Sequence, residues 1–545
     1  MPREPRRISE QTLCDEDSAK EQPLSVTRLL PMLKRMEDNG VYRSLIDETR
    51  PPQKKSSLPP PKLLFTAVLV ALGGPFNFGY QLLITNPAQE AFLQFLNESH
   101  FLNRNEYLDR EQLEGRWSFI ISIFFWGCTT GAFLIRGLSE KFGRKNALQI
   151  SHALQVASCG LTIFSHFQTS AATYAIARFL LGFSITISLG TAPMFITECS
   201  PKECRGVTSL TNGVVLQIAL VVGAVLAMPQ LLGTVDDWWK LYAVELLLTI
   251  VVMTFVPFIH DSPGFLHSRG LGHASQRSLS FYHNIDGDAL KLTIKQLEEE
   301  NGNGQQLGLL SLWKDPSARR GTLIGAVVML SMAMSGIAAI NAFAFEILLS
   351  TGLDVLQASV GNIVICLMSV LGILTSSFII DRFGRRILLL STYSLLAIIN
   401  IFIASLMFGF EYAKVVALGY PLLATICVFN FVFAAGPGPV SLFITGELVG
   451  QNARGAACTW VNVLMCLLRS LLTASYLPLK NLIGQPLSYF TLFFPPMVFT
   501  VFLLYFFLPE TKGKTPSEVE EEWDNLPTLC KSRENHQQPD LDPEV

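Results

Sequence analysis

Glu140-Lys141-Phe142-Gly143-Arg144-Lys145 and Asp381-Arg382-Phe383-Gly384-Arg385-Arg386 are two copies of one signal, set 241 positions apart. Each places an acid, a glycine and a basic pair in the same register, and each directly follows a long apolar run. Two further pairs keep nearly the same offset. Glu198 and Arg205 recur as Glu447 and Arg454, 249 positions on, and Asp261-Ser262 recurs as Glu510-Thr511, again 249 positions on. Three charged markers at matching places predict that the chain is a duplication of one unit.

The runs between the markers set the class. Twelve of them, at 63–84, 117–137, 147–167, 171–193, 208–232, 240–259, 322–349, 358–380, 387–410, 415–435, 456–477 and 487–508, are apolar over the roughly 20 residues a helix needs to cross a bilayer. Composition agrees: 50% of the 545 residues are hydrophobic and 16% charged, where soluble chains carry about 25% charged residues. The expected fold class is an all-α membrane protein of twelve transmembrane helices. It divides into a polar tail (1–62), a six-helix bundle (63–260), a loop (261–319), a second six-helix bundle (320–508) and a second tail (509–545). A net charge of −3 gives no footprint for nucleic acid. Ten cysteines with no CxxC pair exclude a disulfide scaffold. There is no Walker A loop, no HExxH and no histidine cluster, so neither ATP drive, a metal site, a cofactor nor an enzyme is expected.

Lys and Arg set the orientation. They crowd the N-terminal tail and the loops holding Arg136, Lys141, Arg144 and Lys145, then Lys202 and Arg205, then Arg382, Arg385 and Arg386. The alternate loops carry Asp236, Asp237 and Asp354 instead. Both termini are therefore expected in the cytosol, with no signal peptide, because the first sixty residues are polar. Within that tail, Ser25–Met36 reads either as a basic amphipathic helix on the membrane surface or as solvated chain. The roughly thirty-residue loop after the first span lies on the extracellular side and holds the one N-x-S/T sequon, Asn97-Glu98-Ser99, so Asn97 is an expected glycosylation site. The repeated charges leave the membrane at the cytosolic ends of their helices. Acids and arginines from neighbouring ends can pair there and latch the cytosolic ends of the two halves together.

These residues resemble the sugar porter family of the major facilitator superfamily, and within it the animal facilitative hexose transporters of solute carrier family 2. The resemblance covers roughly 63–516. It rests on Gly73-Gly74 and Phe78-Gly79-Tyr80, the Glu140–Lys145 motif, Arg178-Phe179-Leu180-Leu181-Gly182, Pro193-Met194 through Arg205-Gly206, the Asp381–Arg386 motif, Gly436-Pro437-Gly438-Pro439, Glu447 to Arg454, and Pro509-Glu510-Thr511-Lys512-Gly513. The loop with the sequon and Ile444-Thr445-Gly446-Glu447 are similar to the branch that includes fructose and urate carriers. The resemblance implies two six-helix bundles, short cytosolic helices within 262–319, and alternating access to one central site between the halves. It implies a cytosolic gate network of Glu140, Arg144, Arg178, Glu198, Arg205, Asp381, Arg385, Glu447 and Arg454. Proton-coupled members carry an Asp directly after the span-1 Gly-Tyr; here that position is Gln81, which implies a uniporter.

The sugar-contact positions depart from the family. Its amides and Trp fall here on Gly213, Met332, Ala333, Ala338, Cys366, Leu442 and Met465, and its span-10 Glu on Ala434. Polar residues lie about one helical turn away: Gln217, Asn341, Asn362 and Asn462. Each is either part of a shifted polar site or an amide bonding between helices. Two ionisable residues also sit inside spans, Arg469 and Glu346, where charge is costly. Arg469 either holds an anionic solute or pairs with Glu346 as a tether. The expected substrate-binding set is Gln81, Gln217, Asn341, Asn362, Asn462 and Arg469. The expected function is a uniporter of a small polar solute, a hexose such as fructose or glucose, in a lipid membrane and without nucleic acid or ATP. The alternatives are a uniporter of an organic anion such as urate, and a non-transporting receptor on the same fold.

Overall fold

The computed structural model describes residues 59–201, 204–301, 307–450, 452–512, 514, 518, 519 and 521. The expected helix at Ser25–Met36 and the side chain of Asp381 lie outside the described residues. Every regular element described is helical: α1 Pro61–Gly73, α2 Pro75–Leu83, α3 Gln89–Arg104, α4 Arg110–Phe142, α5 Arg144–Phe167, α6 Ala171–Cys199, α7 Arg205–Leu226, α8 Trp239–Phe255, α9 Pro263–Ser268, α10 Gly272–His283, α11 Asp288–Asn301, α12 Pro316–Met334, α13 Ile337–Ser350, α14 Val355–Phe383, α15 Arg385–Ala413, α16 Gly419–Ala435, α17 Pro437–Leu448, α18 Arg454–Ile483 and α19 Gln485–Phe507. They supply twelve helices long and apolar enough to cross a membrane, at the twelve places the apolar runs marked. The fold is the two-bundle, twelve-helix one.

Three spans are broken in the middle. Pro75 and Pro437 lack the N–H a continuing helix needs, so span 1 splits into α1 and α2, and span 10 into α16 and α17. Span 7 splits at Ser335-Gly336 into α12 and α13. Broken helices put free backbone groups at membrane depth, which is tolerated where they are buried in protein or line a cavity.

The repeated motif has one local cause in each half. Gly143 (φ 91°) and Gly384 (φ 79°) turn the chain between α4 and α5 and between α14 and α15, a region other residues enter at a cost. Helix starts are capped by side chains: Ser170 accepts from Thr173 N, Asp315 from Ser317 N and Ala318 N, and Asp354 forms a capping box with Gln357. Small residues let α4 and α6 approach closely; a Cβ on Gly127 would collide with the Phe179 carbonyl, and one on Gly182 with that of Phe124. The halves meet along α4 against α18 and α7 against α14.

The segment after span 1 is not the loop the sequence suggested. It folds as α3, whose Phe92 stacks on Trp117 at 4.9 Å and packs against Tyr174 and Trp238 at 5.6 and 4.9 Å. Six of its apolar and small residues are buried, and that gain decides for helix where the charged and amide residues of the stretch read as loop. The short helices expected in 262–319 are α9, α10 and α11.

Candidate central solute site and its gates

The two faces of the bundle are distinguished by charge. The basic face carries the repeated motif; the opposite face carries α3 and the start of α4.

On the basic face the duplication is visible bond by bond. Arg144 donates to Glu198 at 2.8 Å, and Ser262 donates to the same carboxylate. Arg385 donates to Glu447 at 3.3 Å, and Thr511 donates to it at 2.5 Å. Asp261 accepts from the backbone N–H of Lys145 and Ser262 at 3.1 and 2.7 Å. Glu510 accepts from those of Arg385 and Arg386 at 2.8 and 3.0 Å. Burial pushes the Asp261 carboxyl above its ordinary range despite these bonds.

These pairs correct the expected latch. Both Arg–Glu pairs join helices of the same half, so in this conformation each triad ties one half to itself. Glu140 pairs with Arg136 one turn back on its own helix at 2.7 Å. Arg454 donates to the Gly446 carbonyl at 2.8 Å. Arg205 is exposed, and its side chain has no hydrogen bond among the described residues. Arg178 does not belong to this face at all. It is buried near the far end of α6, donates to Gln81 at 2.6 Å and lies over the Phe124 ring at 4.8 Å. Gln81 in turn donates to Glu245, fully buried on α8. A buried charge within a span needs partners, and Arg178 finds them in the core.

The opposite face is closed by contacts between the halves. Asn86 donates to the Asn341 carbonyl and accepts from Phe345 N, both at 3.1 Å. Gln89 donates to Glu346 at 2.7 Å. Lys480 bridges Glu346 and Glu114, the latter at 3.3 Å. Glu114 also accepts from Arg110 at 2.9 Å. Sequence reading missed Glu114 and Lys480, because both lie at span ends where charge is ordinary.

Beneath this closure lies a small cavity between the halves, lined by Gln81, Thr85, Phe124, Arg178, Asn341, Arg469 and Thr473 among others. In this conformation its free volume is about 20 Å³, room for about one water and not for a hexose. Three of the six expected binding residues (Gln81, Asn341, Arg469) line it. Gln217, Asn362 and Asn462 do not. Gln217 and Asn362 lie on the two helices of the α7–α14 seam, and Gln217 Oε1 and Asn362 Nδ2 are buried without a hydrogen-bond partner. Thr473 was missed, although it sits one turn after Arg469 on the same helical face. The expected Arg469–Glu346 tether is absent: Glu346 is taken by Lys480 and Gln89, while Arg469 is 7% exposed with its Nε unbonded. Asn97 lies on α3. Its Oδ1 accepts from Leu108 N at 2.9 Å, and Ser99 is buried and accepts from Ala171 N.

The chain matches the family described as sugar (and other) transporter over residues 66–523. It is 27% identical to the mouse solute carrier family 2, facilitated glucose transporter member 7, over 84% of this chain and 89% of that protein. It is 26% identical to the horse member 5 over 87% and 94%, and 28% identical to a facilitated glucose transporter homolog of Caenorhabditis elegans over 85% and 90%. The fold is similar to that of the Escherichia coli xylose transporter XylE in a partially occluded inward-open conformation, with a TM-score of 0.69 at 19% identity, covering 83% of this chain and 99% of that one. A family match across most of the chain, carried on twelve spanning helices in two matched halves, makes this a multi-pass membrane protein and not an enzyme: it belongs to the sugar (and other) transporter family and resembles the facilitated glucose transporters of solute carrier family 2.

Proposed function

We propose that the protein is a facilitative uniporter that moves a small polar solute by alternating access. The observation that carries this reading is the inter-half closure of one face directly above a polar cavity that both halves line. Such a closure can exchange for an opening when the halves rock about the cavity. A hexose such as fructose or glucose is the first candidate, because the relatives are named facilitated glucose transporters. Gln81 supports uniport: it is an amide held between Arg178 and Glu245, where a proton-coupled carrier of this kind has a carboxylate. The solute-binding set is Gln81, Asn341 and Arg469, with Thr85 and Thr473 added. Gln217, Asn362 and Asn462 join it only if the halves rearrange.

The basic face is the cytosolic one in this reading, the protein sits in the plasma membrane, and both termini are cytosolic. The glycan site is Asn97, whose Oδ1 accepts a hydrogen bond while Nδ2 makes none among the described residues. The test is uptake of labelled fructose, glucose and urate into oocytes under voltage clamp, with surface expression confirmed. Saturable uptake that ignores a collapsed pH gradient supports the uniporter. Specific binding without flux sinks it in favour of a receptor.

A further inference from the structure

Arg469 is the one feature of the cavity that a neutral cargo leaves unexplained. It sits within α18, nearly buried, and lines the void between the halves. The other charges nearby have partners. Arg178 is bonded to Gln81, and Gln81 to Glu245. Glu346 is held by Lys480 and Gln89. The ionisable groups beside it are the uncharged thiols of Cys466, on its own helix, and Cys128 of α4. Neither is a carboxylate. A guanidinium presents five donors in a planar fork, and among the described residues no acidic side chain pairs with it. Taking a cation out of water without a counter-charge is costly, and such a group persists where function requires it.

We infer that the missing counter-charge is the cargo, and that the central cavity, closed to about one water in this conformation, takes a small organic monoanion with its negative group on Arg469 once the halves part enough to admit it. The inference rests on the carrier reading above and changes its cargo class. Asn341, Thr85 and Thr473 line the same void and supply neutral donors and acceptors for the remainder of the molecule. A planar fork favours a carboxylate or a flat heterocyclic anion, which offer two acceptors side by side. A sugar acid combines that group with the hydroxyls a sugar-porter cavity accommodates. Moving such a cargo alone displaces one charge, so flux responds to membrane voltage.

The experiment uses the purified full-length chain, in detergent for thermal stability and in proteoliposomes under a potassium–valinomycin clamp for flux. The probes are glucuronate, urate and lactate, set against glucose, fructose and chloride. The expected result has three parts. Glucuronate, urate or lactate raises the melting temperature of the wild type where glucose and chloride do not. The same anion enters vesicles at a voltage-dependent rate. In Arg469→Met the anion concentration needed for the same stabilisation rises, and the anion flux falls, by about thirtyfold or more, while Arg469→Lys keeps part of each. Without any anion, Arg469→Met melts at or above the wild-type temperature, because it removes an unpaired buried charge. A fall of several degrees in that variant makes Arg469 a structural cation and overturns the inference. So does stabilisation by chloride alone, or an absence of stabilisation by all three organic anions. Normal flux of glucose or fructose alongside inert anions overturns the monoanion cargo and leaves the carrier standing. Stabilisation by glucuronate that Arg469→Met abolishes, with no flux of any solute, supports the monoanion site and fails the transport reading instead.

Discussion

On the proposed carrier reading, which puts α3 outside the cell, Lys480→Gln should shift the resting protein toward a conformation open on the face that α3 covers. Lys480 sits between Glu346 of its own half and Glu114 of the other, with side-chain exposures of 19%, 18% and 6%. Removing one partner of a buried ion pair costs about 3–5 kcal/mol, and a surface pair is worth about 0–1 kcal/mol. This bridge is intermediate in burial, and Arg110 still neutralises Glu114 at 2.9 Å, so about 2 kcal/mol is the reasonable loss. Glu346 and Lys480 travel together in the same half. The penalty therefore falls on the closed arrangement, which in the variant brings two carboxylates together without their shared cation. At 1.4 kcal/mol per tenfold, that shifts the open-to-closed ratio by about thirtyfold. The assay is the rate at which a membrane-impermeant maleimide, added outside intact cells, labels a cysteine placed at Thr85 in the cavity lining. The parent chain without that cysteine serves as the blank. Labelling should accelerate by about that factor, up to the limit at which the open form predominates. Adding Glu114→Gln should recover most of the closed form, because the pair is then removed from both sides. An unchanged labelling rate at normal surface level would refute the outer latch.

Three further outcomes follow from the packing. Asn77→Leu should destabilise the N-terminal half by about 2 kcal/mol in a detergent melt, since it strands the buried Gln155 Oε1 that accepts from Asn77 at 2.9 Å and removes the bond to Thr249 at 3.1 Å. Gly127→Val should prevent close approach of α4 and α6 and cost at least about 1–3 kcal/mol, read as loss of the folded peak in size-exclusion chromatography; a normal melt would show that the helices have room to separate. Asp261→Asn should flatten the pH dependence of stability. The Asp261 carboxyl is raised by burial, so its contribution favours the fold at acidic pH and is lost as pH rises through the folded value. An amide oxygen keeps both backbone hydrogen bonds without that titration, and a variant that still loses stability over the same range would assign the effect elsewhere.

The site is decided by which charge meets which. Arg178 shows the difficulty. It lies in a motif resembling the family's, and basic residues at span ends normally face the cytosol, yet α6 carries it to the buried Gln81 and Glu245. Arg469 and Glu346 were both legible as charges inside spans. Their separation was not, because the partner that claims Glu346 is Lys480, eleven residues along α18 from Arg469. The closure made by Asn86, Gln89 and Glu346 has no signature in the sequence, since asparagine, glutamine and glutamate near span ends are unremarkable until two halves bring them together.

The sequence alone determined the class, the twelve crossings and the duplication. Those depend on local properties: an apolar run of sufficient length must become a helix in lipid, and a glycine between an acid and a basic pair turns the chain at either copy. The same locality made the matched triads of Glu198 and Glu447 readable as pairs of positions, although not as ties within each half. Only the tertiary structure decided that α3 is a helix, that one face is closed between halves, that three of six expected residues line the cavity, and that Arg469 stands there without a carboxylate. Each of these is a relation between residues as many as about 350 positions apart in the chain, as between Ser122 and Ser470 across the halves. No periodicity within a single helix records which helix will face it.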